Sequence, residues 1–208
     1  MIKKEIYPKT IRLKNDSMVF HITEKLDGSN LCFFKKDNEL HIALRKNIIK
    51  LSELEEASSI LYKGLKQWLI DHGKELEENL NEGSAICGEW LGMGQLKYEN
   101  FPLKYYMFAK ANINEDFKLY NLIYDHSLFI YPFINTEIPE YIGIVPEVIN
   151  TTELPKKEYL DSLYDKYLSE VNRPVEGFVI NFNNNICKYV RMKNGKVVEY
   201  SEDDHKGS

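Results

Sequence analysis

The sequence lacks any apolar run long enough to span a bilayer, and its opening, Met-Ile-Lys-Lys-Glu-Ile, has no signal-peptide core. It is also poor in cysteine. The three cysteines, Cys32, Cys87 and Cys187, are odd in number, far apart and without the spacing of a metal site. We therefore expect reduced, partly buried thiols, a cytoplasmic location and no membrane partner.

A basic excess is missing as well, because the formal net charge is −5. This charge argues against a protein that coats nucleic acid through bulk electrostatics. Any contact with nucleic acid must then come from a local basic patch. Residues 1–15 carry five basic side chains between apolar ones and are one candidate, although a solvated strand and loop explains them about as well.

The remaining composition is that of a globular protein, with 43% hydrophobic and 28% charged residues. A chain of 208 residues can bury a proper core, and we expect a single domain over residues 1–200 with a flexible tail over 201–208. Hairpins and helices do not alternate as regular βαβ units. The pattern therefore predicts an α+β fold with antiparallel β-sheets flanked by helices.

Two helices are predicted. The first begins at Ser52, where Glu55 completes a capping box, and it ends near Gly73, with a shorter helical piece over 74–80. The second lies over 154–171, before Asn172-Arg173-Pro174. Strands are predicted over 18–22, 31–36, 39–45, 84–90, 104–110, 117–123, 141–149, 175–180 and 186–191, with 127–132 left open between strand and short helix.

The stretch Glu-Lys-Leu-Asp-Gly-Ser-Asn, residues 24–30, lies between two predicted strands and suggests covalent chemistry. A lysine attacks only as the neutral amine, so Lys25 needs burial or nearby positive charge to lose its proton near neutral pH. Asp27 places a carboxylate two residues away, and Gly28 lets the backbone approach a ligand. A surface turn is the plainer interpretation, because Asp-Gly is a common hairpin signal.

Three further features follow in order: Gly-Glu-Trp at 88–90, Glu-Gly-Phe-Val-Ile at 176–180, and Lys-Tyr-Val-Arg at 188–191. Glu89 ends a buried strand, where a carboxylate is costly unless it binds something. Taken one at a time, Glu89 and Glu176 are more often explained as partners in salt bridges, and Lys188 as a solvent-exposed lysine on a strand. The ordered set is more specific than any member.

With Lys-x-Asp-Gly-x-Asn at the front, this ordered set resembles the covalent nucleotidyltransferase superfamily of ATP-dependent ligases and capping enzymes. Within it, the sequence is most similar to small RNA ligases of the phage RNA-ligase-2 type, over residues 7–193. The resemblance implies an ATP-grasp-like nucleotidyltransferase core, ATP and Mg²⁺ or Mn²⁺ as cofactors, and RNA 5′-phosphate and 3′-hydroxyl ends as partners. It implies an ATP-dependent RNA ligase that works through a lysyl-AMP intermediate.

The resemblance also implies roles for the residues that bind the nucleotide. Lys25 is the expected nucleophile, and Glu24 is expected to line the adenine pocket. Asn30 corresponds to the asparagine that handles the phosphate or its metal ion. Glu89 is expected to hold the ribose, and Phe108 to stack on adenine.

The remaining implied roles concern phosphates, metal and RNA. Arg45 corresponds to an arginine that contacts the nucleotide sugar or the RNA end, while an arginine at a hairpin end is also common by chance. Glu176 is expected to contact the catalytic metal. Lys188 is expected to neutralise the α-phosphate as pyrophosphate leaves, with Arg191 as a neighbouring candidate for the same task.

The sequence departs from the family pattern in three places. Asn181 stands where a lysine usually follows Glu-Gly-x-Val-Ile, and Phe108-Ala109-Lys110 replaces Phe-Asp-Ile. In the last motif, Ile186 occupies the place of one of two lysines, and Arg191 or Lys193 are candidates to supply that charge. These departures weaken the assignment of the phosphate and metal contacts more than that of ATP binding.

Fifteen residues follow Lys193, which leaves no room for the C-terminal oligonucleotide-binding (OB) domain of DNA ligases and capping enzymes. We therefore expect a bare core that holds RNA with its own grooves or with an accessory protein or subunit. Three alternatives stay open: an adenylyltransferase with another substrate, a core that seals DNA nicks, and a catalytically silent module that binds nucleotides or RNA ends.

Overall fold

The computed structural model describes residues 18–99, 101–182, 185–193 and 196–197. The basic residues of 1–15, the tail 201–208, Asn183 and Asn184 lie outside these residues. The strands are β1 Phe20–Lys25, β2 Ser29–Lys36, β3 Glu39–Ala43, β4 Ile48–Lys50, β5 Ser84–Trp90, β6 Tyr105–Ile113, β7 Leu119–Ile123, β8 Ile142–Ile144, β9 Glu147–Thr151, β10 Gly177–Phe182, β11 Asn185–Val190, β12 Met192–Lys193 and β13 Lys196–Val197. The helices are α1 Leu65–Asn79 and α2 Lys157–Val171.

The strands form two main sheets. The larger has the order β4-β3-β2-β5-β6-β7, with β8 added parallel to β6, and the smaller has the order β11-β10-β1-β9. All other pairings in these two sheets are antiparallel. The predicted α+β class with antiparallel sheets is therefore confirmed. Neither described helix is long and apolar enough to cross a membrane.

Each sheet packs one face against one helix. Helix α1 presents Leu65, Trp68 and Leu69 to an apolar cluster that includes Leu31 and Phe33 of β2. Helix α2 packs on the smaller sheet, where its buried residues Leu160 and Tyr164 join Phe20, Ile22, Phe178, Ile180 and Tyr189. Because side chains alternate between the faces of a strand, the residues between these apolar positions point away from the helices.

The predicted hairpin over 31–45 is confirmed, because β2 and β3 pair around Asp37 and Asn38. Both turn residues have positive φ, 57° and 60°. A two-residue turn of this kind matches the twist of antiparallel strands, and aspartate and asparagine tolerate its backbone.

The prediction of a helix beginning at Ser52 is wrong. The region forms short 3₁₀ turns at Leu51–Glu53 and Ser58–Ile60, and α1 begins at Leu65. The hydroxyl of Ser52 donates to the carboxylate of Glu39 on β3, so it does not cap a helix.

The expected break at Gly73 is also wrong, because α1 continues through it to Asn79. A Cβ at this position would lie 2.8 Å from a methyl carbon of Leu51, so the absence of a side chain lets α1 lie close to the turn at Leu51–Glu53.

Candidate active site

Lys25 is the last residue of β1, at the point where the chain leaves the smaller sheet for the larger one. The connection is only Leu26–Asp27–Gly28 long, and β2 begins at Ser29. It is therefore not a hairpin, because β1 and β2 belong to different sheets. A Cβ on Gly28 would lie 2.5 Å from the carbonyl oxygen of Trp90, so only glycine fits this close approach to β5.

Alternation along β1 separates the residues around the predicted nucleophile. Phe20 and Ile22 pack with α2, so Thr23 and Lys25 point to the opposite face. The Lys25 side chain is 25% exposed. It is therefore partly withdrawn from water and still accessible to a ligand.

Glu176 is the direct partner of Lys25. Its Oε2 accepts a hydrogen bond from Lys25 Nζ at 2.7 Å, and its side chain is 15% exposed. Burial raises the pKa of Glu176, while the hydrogen bond and charge of Lys25, and the charge of Lys188, act in the other direction. A carboxylate with a raised pKa beside a lysine ammonium is suited to take its proton.

Glu89 brings a second carboxylate to the same place. It lies on β5 opposite Asn30 of β2, and the Gly28 N–H donates to its carboxylate. Burial raises the pKa of Glu89 to about 7, opposed by the charge of Lys25 and reinforced by that of Glu176. Strongly perturbed carboxylates in a cleft are typical of functional sites.

The structure separates Lys188 from Arg191. In the register of the smaller sheet, Lys188 pairs with Val179, which pairs with Thr23, so Lys188 lies on the Lys25 face. Arg191 instead reaches α2, where it donates to Asp161 at 2.8 Å and lies over the ring of Tyr164 at 5.2 Å. Among the described residues, Lys188 is therefore brought to the Lys25 face and Arg191 is not.

Glu24 points to the α2 side of the sheet and is fully buried. Its two carboxylate oxygens accept from both terminal nitrogens of Arg173, each at 2.5 Å, and from the Tyr167 hydroxyl at 2.8 Å. The Arg173 guanidinium lies over the rings of Phe101 at 4.5 Å and Tyr98 at 5.8 Å. The Glu24 side chain is thus engaged in an internal ion pair rather than directed to an open pocket.

Asp27 fixes the glycine-punctuated loop that follows β5. Its Oδ2 accepts from the backbone N–H groups of Gln95 at 2.6 Å and Leu96 at 2.9 Å. Its own N–H donates to the Tyr98 hydroxyl at 2.6 Å. The nucleophile connection and this loop are therefore held together as one unit.

Asn30 and Arg45 are linked through Tyr62. The Tyr62 hydroxyl donates to the Asn30 carbonyl at 3.0 Å and accepts from the Arg45 N–H at 3.3 Å. The side chains of Asn30 and Arg45 are exposed. Arg45 therefore lies near Asn30, the residue of β2 that pairs with Glu89 of β5. Arg45 itself is not part of a strand, because β3 ends at Ala43.

Phe108 lies at an irregularity in β6. Met107 pairs with Gly88 and Ala109 with Cys87, so Phe108 is an extra residue between them. It is half-buried and packs against the apolar clusters around Leu26 and around Cys32. The Phe108 ring therefore borders a buried cluster on this face of the larger sheet, in which Cys32, Phe34 and Tyr124 are 8% exposed or less.

Sequence reasoning missed the aromatic and cationic residues that support the site. Asn172-Arg173-Pro174 was interpreted only as a helix end, which the left-handed Asn172 confirms. No local pattern signals the pairing of Arg173 with Glu24, because the two residues are 149 positions apart. Tyr62, Tyr98 and Tyr167 likewise carried no signal.

A divalent metal ion at this site would have to be held by the carboxylates around Lys25. The described residues contain no group of three or more histidine, cysteine, aspartate or glutamate side chains that could hold a metal. Mg²⁺ is usually held by one or two carboxylates together with substrate phosphates and water. Glu176 and Glu89 fit that arrangement, while Asp27 already accepts two backbone hydrogen bonds.

No curated protein matches the chain. Solved structures of Naegleria gruberi RNA ligase do match: a mutant with ATP and Mn (18% identity, TM-score 0.49) and two apo mutants (19% and 18%, TM-scores 0.47 and 0.48). Each match covers 85% of this chain and 50% of the other, so this chain spans about half the length of those structures. The RNA ligase family profile matches residues 18–193, and the chain belongs to the RNA ligase family.

Proposed function

We propose that this chain is the nucleotidyltransferase core of an ATP-dependent RNA ligase with Lys25 as its nucleophile. The observation that carries the proposal is the 2.7 Å contact between Lys25 and Glu176 at the junction of the two sheets. The charge of Glu89 interacts with those of Lys25 and Glu176, and the charge of Lys188 interacts with that of Glu176. The family supplies the reaction class, and these four side chains supply the chemistry.

The first step is attack of the neutral Lys25 amine on the α-phosphorus of ATP. Glu176 first takes one proton from the Lys25 ammonium, which leaves the neutral amine. A nitrogen–phosphorus bond then forms and the bond to the pyrophosphate oxygen breaks, while the second proton lost by the nitrogen leaves with the pyrophosphate. The raised pKa of Glu176 makes it a better proton acceptor than an ordinary carboxylate. Lys188, which lies on the same face of the sheet, would stabilise the charge that develops on the phosphate oxygens.

The next two steps use the same groups. An oxygen of the RNA 5′-phosphate attacks the phosphorus of lysyl-AMP, the nitrogen–phosphorus bond breaks, and Lys25 regains a proton. The RNA 3′-hydroxyl then attacks the activated 5′-phosphate, and AMP leaves as the phosphodiester forms. Glu176 and Glu89 would hold Mg²⁺ or Mn²⁺, which neutralises phosphate charge when bound.

RNA ends are the proposed substrates, and an accessory protein or subunit is proposed to help hold them. The net charge of −5 supports the proposal of an accessory partner, because a negatively charged core has little general attraction for a phosphate chain. Competition among nicked duplex RNA, single-stranded RNA and DNA in a sealing assay tests the substrate class.

The direct test of the nucleophile is intact-protein mass after incubation with ATP and Mg²⁺ or Mn²⁺. We expect an AMP-sized gain in the parent protein and none in Lys25→Ala. Lys166→Ala is the matched control, because Lys166 lies on α2 with a side chain that is 72% exposed. A gain that survives Lys25→Ala would refute the assignment. No gain with ATP, GTP or NAD would favour a silent binding module.

A further inference from the structure

Lys110 is a buried lysine that the proposed reaction does not use. It lies on β6 opposite Ile86 of β5 and is only 9% exposed. Ile86 belongs to the apolar cluster under α1, so Lys110 lies on that face of the larger sheet. Glu89 is three residues further along β5 and therefore points to the other face. The Lys110 ammonium is thus separate from the Lys25 site.

Within the described part of the chain, this ammonium has no carboxylate at ion-pair distance. Its contact is the ring of Tyr131, whose centroid lies 4.8 Å from Nζ. Burial lowers the pKa of Lys110, with only a weaker opposing effect from Asp125. The Asp125 carboxylate already accepts from the N–H and hydroxyl of Ser127. Among the described residues, Lys110 therefore lacks an anion close enough to form an ion pair with it.

The ammonium lines a cavity of about 330 Å³. Ser84, Asn112 and Asn121 also line it and bring a hydroxyl and two amides to the same space. Tyr131 forms part of the wall and is 75% exposed, so its ring continues outward from the cavity to solvent. A charged group, neutral hydrogen-bonding groups and an open aromatic ring are therefore combined at one place.

The cavity lies where the pairing of β6 and β7 is irregular. Lys110 pairs with Ile123 and Asn112 with Tyr120, so β7 contributes one residue more than β6 between these pairs. Asn121, within this bulge, has φ of 52°. Bulges occur often beside binding sites because they redirect side chains. Here the bulge brings Asn121 to the cavity that Lys110 enters.

This combination matches the chemistry of a nucleotide. A phosphate oxygen is a strong acceptor for a buried ammonium, and amides and hydroxyls complete its hydrogen bonds. A base stacks on an exposed aromatic ring, as in proteins that bind single-stranded nucleic acid. The cavity accommodates a phosphate, while the base would lie outside it on the ring.

We propose that this cavity is an RNA-binding subsite, in which Lys110 holds a phosphate and Tyr131 stacks the adjoining base of a single-stranded segment. The inference rests on the proposed function, because it assigns the RNA substrate a second contact remote from the Lys25 site. It also gives a role to Lys110, which stands at a departure of the sequence from the family pattern.

The test measures the affinity of the protein for a fluorescent single-stranded RNA of about ten nucleotides without a 5′-phosphate. Fluorescence anisotropy gives this affinity at several salt concentrations. Such a probe cannot accept AMP because it lacks the 5′-phosphate, so its affinity reports on contacts other than those to that phosphate. Lys110→Met keeps a similar volume and removes a buried charge, and Tyr131→Leu alters an exposed ring. Both variants are therefore expected to fold, which their thermal melts check.

We expect Lys110→Met to weaken binding about tenfold and to reduce the slope of log affinity against log salt by about 0.7. Tyr131→Leu should weaken binding about tenfold and leave the slope unchanged. The control Lys166→Met, which removes the same charge from an exposed lysine of α2, should change neither quantity. Lysyl-AMP formation with ATP alone should be the same in all four proteins.

Parent-like affinity in both Lys110→Met and Tyr131→Leu would overturn the subsite. Equal weakening by Lys166→Met would also overturn it, because the effect would then be one of general charge. If the parent protein forms no lysyl-AMP, the proposed function fails, while the RNA-binding comparison still decides whether the subsite exists.

Discussion

Replacement of Glu89 by glutamine should stabilise the protein while it weakens the reaction. Glu89 is half-buried near Glu176 and Asp27, and this burial raises its pKa from 4.5 to about 7. The native state therefore holds this proton more tightly than the unfolded chain. Between pH 4.5 and 7 the native state binds more protons than the unfolded state, so the free energy of unfolding falls as pH rises through that window.

The size of the effect follows from the two pKa values. Each pH unit between them costs about 1.4 kcal/mol, so complete ionisation of Glu89 costs the native state about 3 kcal/mol. Glutamine is neutral at every pH and still accepts from the Gly28 N–H. We expect Glu89→Gln to exceed the parent in stability by about 3 kcal/mol at pH 8 and by about 1 kcal/mol or less at pH 5.

Urea unfolding at pH 5 and pH 8, followed by fluorescence of the buried Trp68 and Trp90, measures this difference. Glu170→Gln is the control, because its side chain is 58% exposed on α2 and should leave the pH dependence unchanged. An equal difference at the two pH values would refute the reasoning, as would a less stable Glu89→Gln at pH 8. The mass assay should show less lysyl-AMP in the same variant.

Two other predictions concern the supports of Lys25. Arg173→Met leaves the buried Glu24 carboxylate without its cation and should lower the free energy of unfolding in urea by about 3–5 kcal/mol. Adding Glu24→Gln to the same chain should restore a part of this loss. A loss below about 1 kcal/mol would contradict the ion pair. Lys188→Met should slow lysyl-AMP formation about 100-fold in quenched-flow mass measurements, whereas Arg191→Met should change it less than threefold. The reverse order would place Arg191, and not Lys188, at the phosphate.

The strands and the hairpin were predictable because their signals are local. Alternating side chains and the Asp37-Asn38 turn depend on residues within a few positions of one another, and the structure gives those two residues the positive φ that a tight turn requires. The order of Lys25, Glu89 and Glu176 along the sequence likewise predicted one site. Their charges do interact in the structure.

Other features depend on contacts that local patterns do not record. Asp27-Gly28 has the composition of a hairpin turn, yet it joins two sheets, because each flanking strand pairs with a distant segment. Ser52 has the spacing of a helix cap, yet its hydroxyl donates to Glu39 on β3. In both cases the competing partner lies on another strand, so tertiary contacts override the local preference.

Alternation along the strands explains which charged residues face the proposed active site and which face α2. On β1, Lys25 points to Glu176 and Glu24 points to α2, where it meets Arg173. Tyr189 on β11 also points to α2 and donates to Asp161, so its neighbour Lys188 points to the Lys25 face. Arg191 joins Asp161 as well and so belongs to the support. Adjacent residues in one motif therefore act on opposite faces of the sheet, and motif order alone does not distinguish a phosphate contact from the ion pair behind it.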